Sequence, residues 1–513
     1  MTKMAKISAS LILRRSPLLA EFGGIFVLAC MQGASASAPE TLGLKAIIGE
    51  ALVMIILVYC TVEASGHFNP AVSMAVAFAK RLPPTAGLLQ FLVVQIGGAV
   101  VGMLISTYSF EAHWSDSRPP VQDALHRPLP SRWWATFVAQ ALAAAMMGLV
   151  FLSLALPARR HLHEEGSGPS FSASMMRLSV ALGVGCLHVS STIAVNSFDG
   201  GSGSSNAAFT IARMLLKQSA DWGSAAVVLS LLAEVAGASI AALLFRTTHP
   251  EEYDDRYAME DEVDDADVDE NTGAPVATAL AREFVGTYWI TLTLCLCSST
   301  APPGHRVWAY SCAVAAVFLA LGDRKGGYFN PCFAVAASAS GLRSLSASTV
   351  SLIVLLQCLA AALAAQLVSG LASEEWRPSL LTSQSPMWMA CTAEATCAAL
   401  HVCIYVASLM LPTNNPSTRR LVAALPTALC VLCSCICSRS SSGGWFNPAI
   451  TLGVGLSQLK HADTVMRCWQ YLLNQLIGSS IAAAYLAAIV KAKEALDGAI
   501  SIGCSAKPQQ CDT

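Results

Sequence analysis

Apolar positions along the chain gather into twelve long runs, each near the about 20 residues that a helix needs to cross a bilayer core. In the first half they lie near 17–38, 41–62, 85–107, 133–156, 175–195 and 221–245. In the second half they lie near 276–298, 305–322, 347–371, 387–411, 418–437 and 465–490. Runs of this length predict spanning helices and an all-α polytopic membrane protein. Between the halves, His249 to Pro275 has no apolar periodicity and reads as a solvated linker. The expected organisation is a first domain over 1–248, an acidic linker over 249–275 and a second domain over 276–513.

Each half also holds two short apolar segments that begin with Asn and cannot span. They are Asn69-Pro70-Ala71, Asn206-Ala207-Ala208, Asn330-Pro331-Cys332 and Asn447-Pro448-Ala449. Asn is a favoured N-cap, and Pro suits the first helical position because its missing N–H costs nothing there. Each motif therefore predicts a helix start. The first such helix should stop near Lys80-Arg81-Leu82-Pro83-Pro84, where cations suit the helix dipole and proline ends it. Ten residues make about 15 Å, so two half-helices meeting head to head would cross a bilayer core. Broken helices persist at membrane depth where they are buried or line a watery cavity. The openings of the halves also repeat, as Ala20-Glu21-Phe22-Gly23-Gly24 and Arg282-Glu283-Phe284-Val285-Gly286. The pattern is a duplication laid over an internal duplication.

Composition narrows the class. Hydrophobic residues make up 54% of the 513 and charged residues 12%, about half the charge of a soluble domain. That excludes a disordered chain, a coiled coil and an ordinary soluble enzyme. The net charge of −2 hides an asymmetry, because 12 of the 33 acidic residues lie between Glu251 and Glu270. Basic residues are scattered, which gives no nucleic-acid footprint. Most of the 18 cysteines sit inside apolar runs as small packing residues, and the spacing of Cys433, Cys435 and Cys437 is not that of a zinc site. No nucleophile–base set, phosphate loop, metal motif or cofactor motif is present, so no enzyme is expected.

Three Phe-Asn-Pro copies, each in a Gly-flanked loop after an apolar run, resemble the aquaporins, the major intrinsic protein family. Glu21, Glu283 and Glu394, Gln95-Ile96-Gly97-Gly98-Ala99, Gly200-Gly201-Ser202-Gly203 and Ser442-Gly443-Gly444 add to the likeness. The resemblance implies two aquaporin-like domains in tandem, each with six spanning helices and two half-helices in inverted repeat around a pore. It implies that Asn69 with Asn206, and Asn330 with Asn447, offer amide donors to a passing water or hydroxyl group. Both termini and the linker would then be cytoplasmic, where 20 of the 31 basic residues fall. Four-pore assemblies are the family's habit, so a homodimer forming a pseudo-tetramer is expected in the lipid bilayer.

The sequence departs from the family at its filters. Ala207 replaces Pro, Cys332 replaces Ala, and Phe209 and Ile450 stand where a filter Arg is usual. The other matching constriction positions are Gly49, Ala194 and Gly203 in the first half, and Tyr310, Cys435 and Gly444 in the second. Arg213 and Arg439 are the substitutes the sequence offers, each also readable as a surface charge. Two half-helix ends supply about one positive charge together, and losing a filter Arg removes a comparable one. The expected function is passive passage of water and small uncharged, glycerol-like solutes. The alternatives are a non-conducting aquaporin-like scaffold, and a secondary transporter coupled through Glu21, Glu50, Glu234, Glu283 or Glu394.

Overall fold

The computed structural model describes residues 17–36, 43–82, 87–109, 130–164, 170–199, 206–216, 224–253, 273–301, 303–322, 327–341, 345–372, 385–411, 416–438 and 440–505. Sixteen α-helices follow one another among the described residues, eight in each half. The first eight are α1 (Pro17–Ala36), α2 (Gly43–Thr61), α3 (Pro70–Phe78), α4 (Leu88–Ser109), α5 (Pro130–Glu164), α6 (Phe171–Asp199), α7 (Ala207–Leu215) and α8 (Ser224–Thr248). The second eight are α9 (Gly273–Thr300), α10 (Pro303–Leu321), α11 (Pro331–Ala339), α12 (Ala347–Leu371), α13 (Met387–Leu409), α14 (Pro416–Ser438), α15 (Pro448–Ser457) and α16 (Ala462–Ser505).

Ten of these helices are long and apolar enough to cross a membrane, against the twelve spans that the sequence predicts. The other two are the first helices of the halves. In α1 the apolar stretch is Pro17–Gly33, slightly short, and α9 carries Arg282 and Glu283 mid-helix. Both are nonetheless packed as full members of the fold.

One packing scheme occurs four times. α1 lies along α4, α5 along α8, α9 along α12, and α13 along α16. In each half the second long helix crosses the fifth (α2 on α6, α10 on α14), and both half-helices pack on the third and sixth long helices, the first of them also on the fourth. Close approach depends on glycine: a Cβ at Gly237 of α8 would collide with the Ala141 carbonyl of α5, and one at Gly478 of α16 with the Ala395 carbonyl of α13. The core of the molecule is a continuous apolar cluster shared by both halves.

The halves touch through different faces of the same unit. α5 and α6 of the first pack against α10 of the second, and α6 also meets α9 and α14. Consequently 78% of the apolar stretch of α10 is buried, but only 17% of that of its counterpart α2. Conversely α5 and α6 are 83% and 72% buried, against 39% and 44% for α13 and α14. Across the contact the Cys186 and Cys312 thiols are hydrogen-bond partners.

The start of the linker differs from the solvated reading. Pro250–Glu252 form a 3₁₀ turn, and the Tyr253 hydroxyl donates to Ala79 O at 3.2 Å. The Arg81 and Arg246 guanidiniums lie over the Tyr253 ring. Arg282 of α9 donates to Thr248 O at 2.7 Å and to Glu251 at 2.9 Å, which fixes how α8 hands over to α9. Residues 254–272, which hold most of the acidic run, lie outside the described residues.

Candidate functional site

Half-helices α3, α7, α11 and α15 begin at Asn69, Asn206, Asn330 and Asn447. In each, the Asn Oδ1 accepts the backbone N–H two residues on, from Ala71, Ala208, Cys332 and Ala449, at 2.8, 3.0, 3.0 and 3.0 Å. This N-cap bond satisfies an orphan donor of the first turn. The residue before the Asn is left-handed in three motifs, with φ of +48° at Phe68, +51° at Phe329 and +51° at Phe446. A bulky residue holds that conformation only where its surroundings force it.

Buried carboxylates provide the force. Glu21 accepts the N–H groups of His67 and Phe68, both at 2.7 Å, and the Gln95 amide at 2.8 Å. Glu283 accepts those of Gly327, Tyr328 and Phe329 at 2.6, 2.6 and 2.8 Å, and the Gln357 amide at 2.7 Å. Glu394 accepts those of Trp445 and Phe446 at 3.2 and 2.9 Å, and the Gln475 amide at 2.7 Å. With their N–H groups drawn outward, the Phe carbonyls face the opposite half-helix. Asn206 Nδ2 donates to Phe68 O at 2.8 Å, Asn447 Nδ2 to Phe329 O at 2.9 Å, and Asn330 Nδ2 to Phe446 O at 3.3 Å. The half-helices are thus joined N-terminus to N-terminus. An Asn amide has two N–H donors, so each cross-bond leaves the second for another acceptor.

The fourth motif is built differently. The residue on α5 that matches Glu394 is Gln140, because Gly237 meets Ala141 as Gly478 meets Ala395. The residue on α8 that matches Gln475 is Glu234, at the same 241-residue offset that separates Asn206 from Asn447. Carboxylate and amide have exchanged helices. Glu234 is buried and faces the Ala207 N–H, the donor that a Pro would lack, without a hydrogen bond of normal geometry.

In the second half the two joined termini border a cavity of about 20 Å³. That suffices for a water molecule or two. Its polar wall is Asn330, Asn447, Tyr310, Tyr328, His401 and Thr427, and its apolar wall includes Ile290, Val314, Phe318 and Phe333. Of the constriction positions expected here, Tyr310 lines the cavity, and its hydroxyl donates to Trp445 O at 3.4 Å. Cys435 packs on Gly444, its thiol 3.8 Å from Gly444 O. Ile450 is wholly buried in the first turn of α15 and is not among the cavity's lining residues.

In the first half Gly49 faces open space on α2, while Ala194 and Phe209 are buried; Gly203 lies outside the described residues. Beside Gly49, Glu50 accepts from Gln32 at 3.5 Å and lies 3.7 Å from His188. Arg213 donates to Gln32 at 3.4 Å, and Arg439 lies outside the described residues. Among the described residues no group of three or more His, Cys, Asp or Glu is placed to hold a metal ion.

The family model described as Major intrinsic protein matches residues 16–118 and 380–509. The chain belongs to the major intrinsic protein family. The first match runs through α1, the Asn69 motif and α4, and the second through α13, the Asn447 motif and the whole of α16. Membership of this family makes the chain a multi-pass membrane protein and places it among channels for water or small solutes. No curated protein matches the chain.

Sequence reasoning missed two features of the site. One is the Gln140–Glu234 exchange. The other is Arg306, buried one turn before Tyr310, whose Nη2 donates to Gly443 O at 3.2 Å. A signal for it existed: the 261-residue offset from Asn69 to Asn330 also carries Lys45 to Arg306.

Proposed function

We propose that this major intrinsic protein is a passive channel for water and small uncharged, glycerol-like solutes, with its conducting pore in the second half. The observation that carries this reading is the cavity between Asn330 and Asn447, bordered by two half-helix N-termini, with an apolar wall on one side and Tyr310, Tyr328, His401 and Thr427 among its other lining residues. A permeant crossing it meets the Asn amides as donors beside the Tyr310, Tyr328, His401 and Thr427 groups, with apolar side chains between them. Its hydrogen bonds are oriented there, and a continuous proton wire is interrupted. The two termini add positive potential against cations. Tyr310, Cys435 and Gly444 form the constriction, with no Arg in the half-helix position that Ile450 occupies. Each half is one pore unit, joined by the acidic linker, with both termini and the linker on the cytoplasmic side.

Two chains complete the assembly. The faces that pair inside the chain, α5 and α6 against α10, recur unpaired as α13 with α14 at one end and α2 at the other. A second copy turned by a two-fold axis sets α13 and α14 of each chain against α2 of its partner, giving four units in a ring. Closed symmetry of this kind buries the same self-complementary face twice.

The test is osmotic shrinkage and reswelling of liposomes holding the purified chain, with water, glycerol and urea gradients, in the presence and absence of ion gradients. Solute flux independent of the ion gradient supports the channel. Flux that needs an ion gradient would mean a coupled transporter, and no flux above empty liposomes would mean a scaffold.

A further inference from the structure

We propose that Arg306 sets the charge selectivity of the second pore, supplying from α10 the fixed positive charge that turns cations back at its constriction. The proposal rests on the channel reading and names the residue that gives the channel its selectivity. Arg306 and Tyr310 are four residues apart on α10 and so share one helix face. Tyr310 lines the cavity, which puts Arg306 one turn further along the same wall.

Both side chains hold the same loop. Arg306 Nη2 donates to Gly443 O at 3.2 Å, and the Tyr310 hydroxyl donates to Trp445 O at 3.4 Å. Gly443 and Gly444 have φ of +86° and +84°, a conformation that side chains rarely adopt, so the loop can fold back onto α14. There Gly444 meets Cys435. The guanidinium is therefore built into the constriction, held by the loop that forms one of its walls.

Burial makes the charge effective. Arg306 is only 8% exposed, and a buried charge is screened by salt far less than a surface one. The half-helix ends contribute about one positive charge together at the Asn motifs. Arg306 adds a whole charge a short way along the path. Lys45, its match in the first half, is exposed on α2 beside a glycine-lined space, so the first pore lacks the same buried charge.

The experiment uses the full chain in liposomes and reads glycerol flux by light scattering and proton or sodium leak by an internal dye. Arg306→Leu removes the charge and keeps the stem. Arg306→Gln keeps a donor for Gly443 O, and serves where the Leu variant does not fold; Arg306→Lys keeps the charge. The ratio of cation leak to glycerol flux should rise about tenfold or more in the Leu and Gln variants, which corresponds to about 1.4 kcal/mol of lost barrier. The Lys variant should stay within about threefold of the parent. An unchanged ratio in both neutral variants would overturn the proposal while leaving the channel standing. Absence of glycerol flux in the parent would overturn the channel reading itself, and the proposal with it.

Discussion

Ala207 leaves a backbone N–H where Pro448 has none, and Glu234 stands against it in place of the Gln475 of the other half. The three changes, Pro to Ala, Gln to Glu on the last helix and Glu to Gln on the fourth, form one coupled set. Restoring only the proline should therefore harm the protein. Ala207→Pro removes the donor facing a buried carboxyl and should cost about 1–3 kcal/mol, despite proline's fitness for that position. Adding Gln140→Glu and Glu234→Gln should recover most of the loss, a non-additivity expected of contacting residues. Thermal unfolding in detergent reads both; a Tm for Ala207→Pro at or above the parent's would refute the coupling. The Asn, Pro and Glu residues of the other motifs were legible in the sequence because helix starts obey local rules. The exchange and Arg306 were not, because each depends on which residues lie opposite one another across 94 positions of chain for Gln140 and Glu234 and 137 for Arg306 and Gly443. Internal offsets, 241 for Glu234 and 261 for Arg306, were the only trace of them in the sequence.

Among the elements, half-helices are the most local feature and were read most closely. The sequence placed the first between Asn69 and Lys80-Arg81, and α3 occupies Pro70–Phe78 with its cap on Asn69. Even α7, without its proline, starts one residue after Asn206, since the Asn cap and small residues suffice. Longer helices were placed to within a few residues at most ends, but α16 runs on to Ser505, well past its apolar stretch. At the first residues of the linker the apolar patterning ends at Thr248, but Tyr253 lies under Arg246 of α8 and Arg81 from the segment after α3. Packing between elements rests on glycine contacts, which gives a test at this scale. Gly478→Ala should force α16 away from α13 and destabilise the fold by about 1–3 kcal/mol. Gly370→Ala on α12, where a Cβ meets nothing, should be neutral or gain up to about 1 kcal/mol in helix propensity. Equal Tm changes in the two variants would show that the close approach at Gly478 does not limit packing.

At the scale of the whole molecule, the duplication is written in the repeated motifs, while the choice of contact faces is not. Lipid-facing and protein-facing apolar positions look alike in sequence, because both are apolar. Only the fold shows α10 sheltered and α2 bare, and with it a unit whose two ends complement each other. The proposed dimer predicts a detergent-solubilised particle with two chains, measured by native mass spectrometry or light scattering. One chain alone, or four chains in one ring, would contradict it. The central claim is that the second half conducts, through the cavity between Asn330 and Asn447. Its most direct measurement is glycerol flux into liposomes carrying, at equal protein density, the parent, Asn447→Leu or Asn206→Leu. The account predicts that Asn447→Leu abolishes most of the flux and Asn206→Leu leaves most of it. Equal losses from the two, or a parent no faster than empty liposomes, would contradict the account.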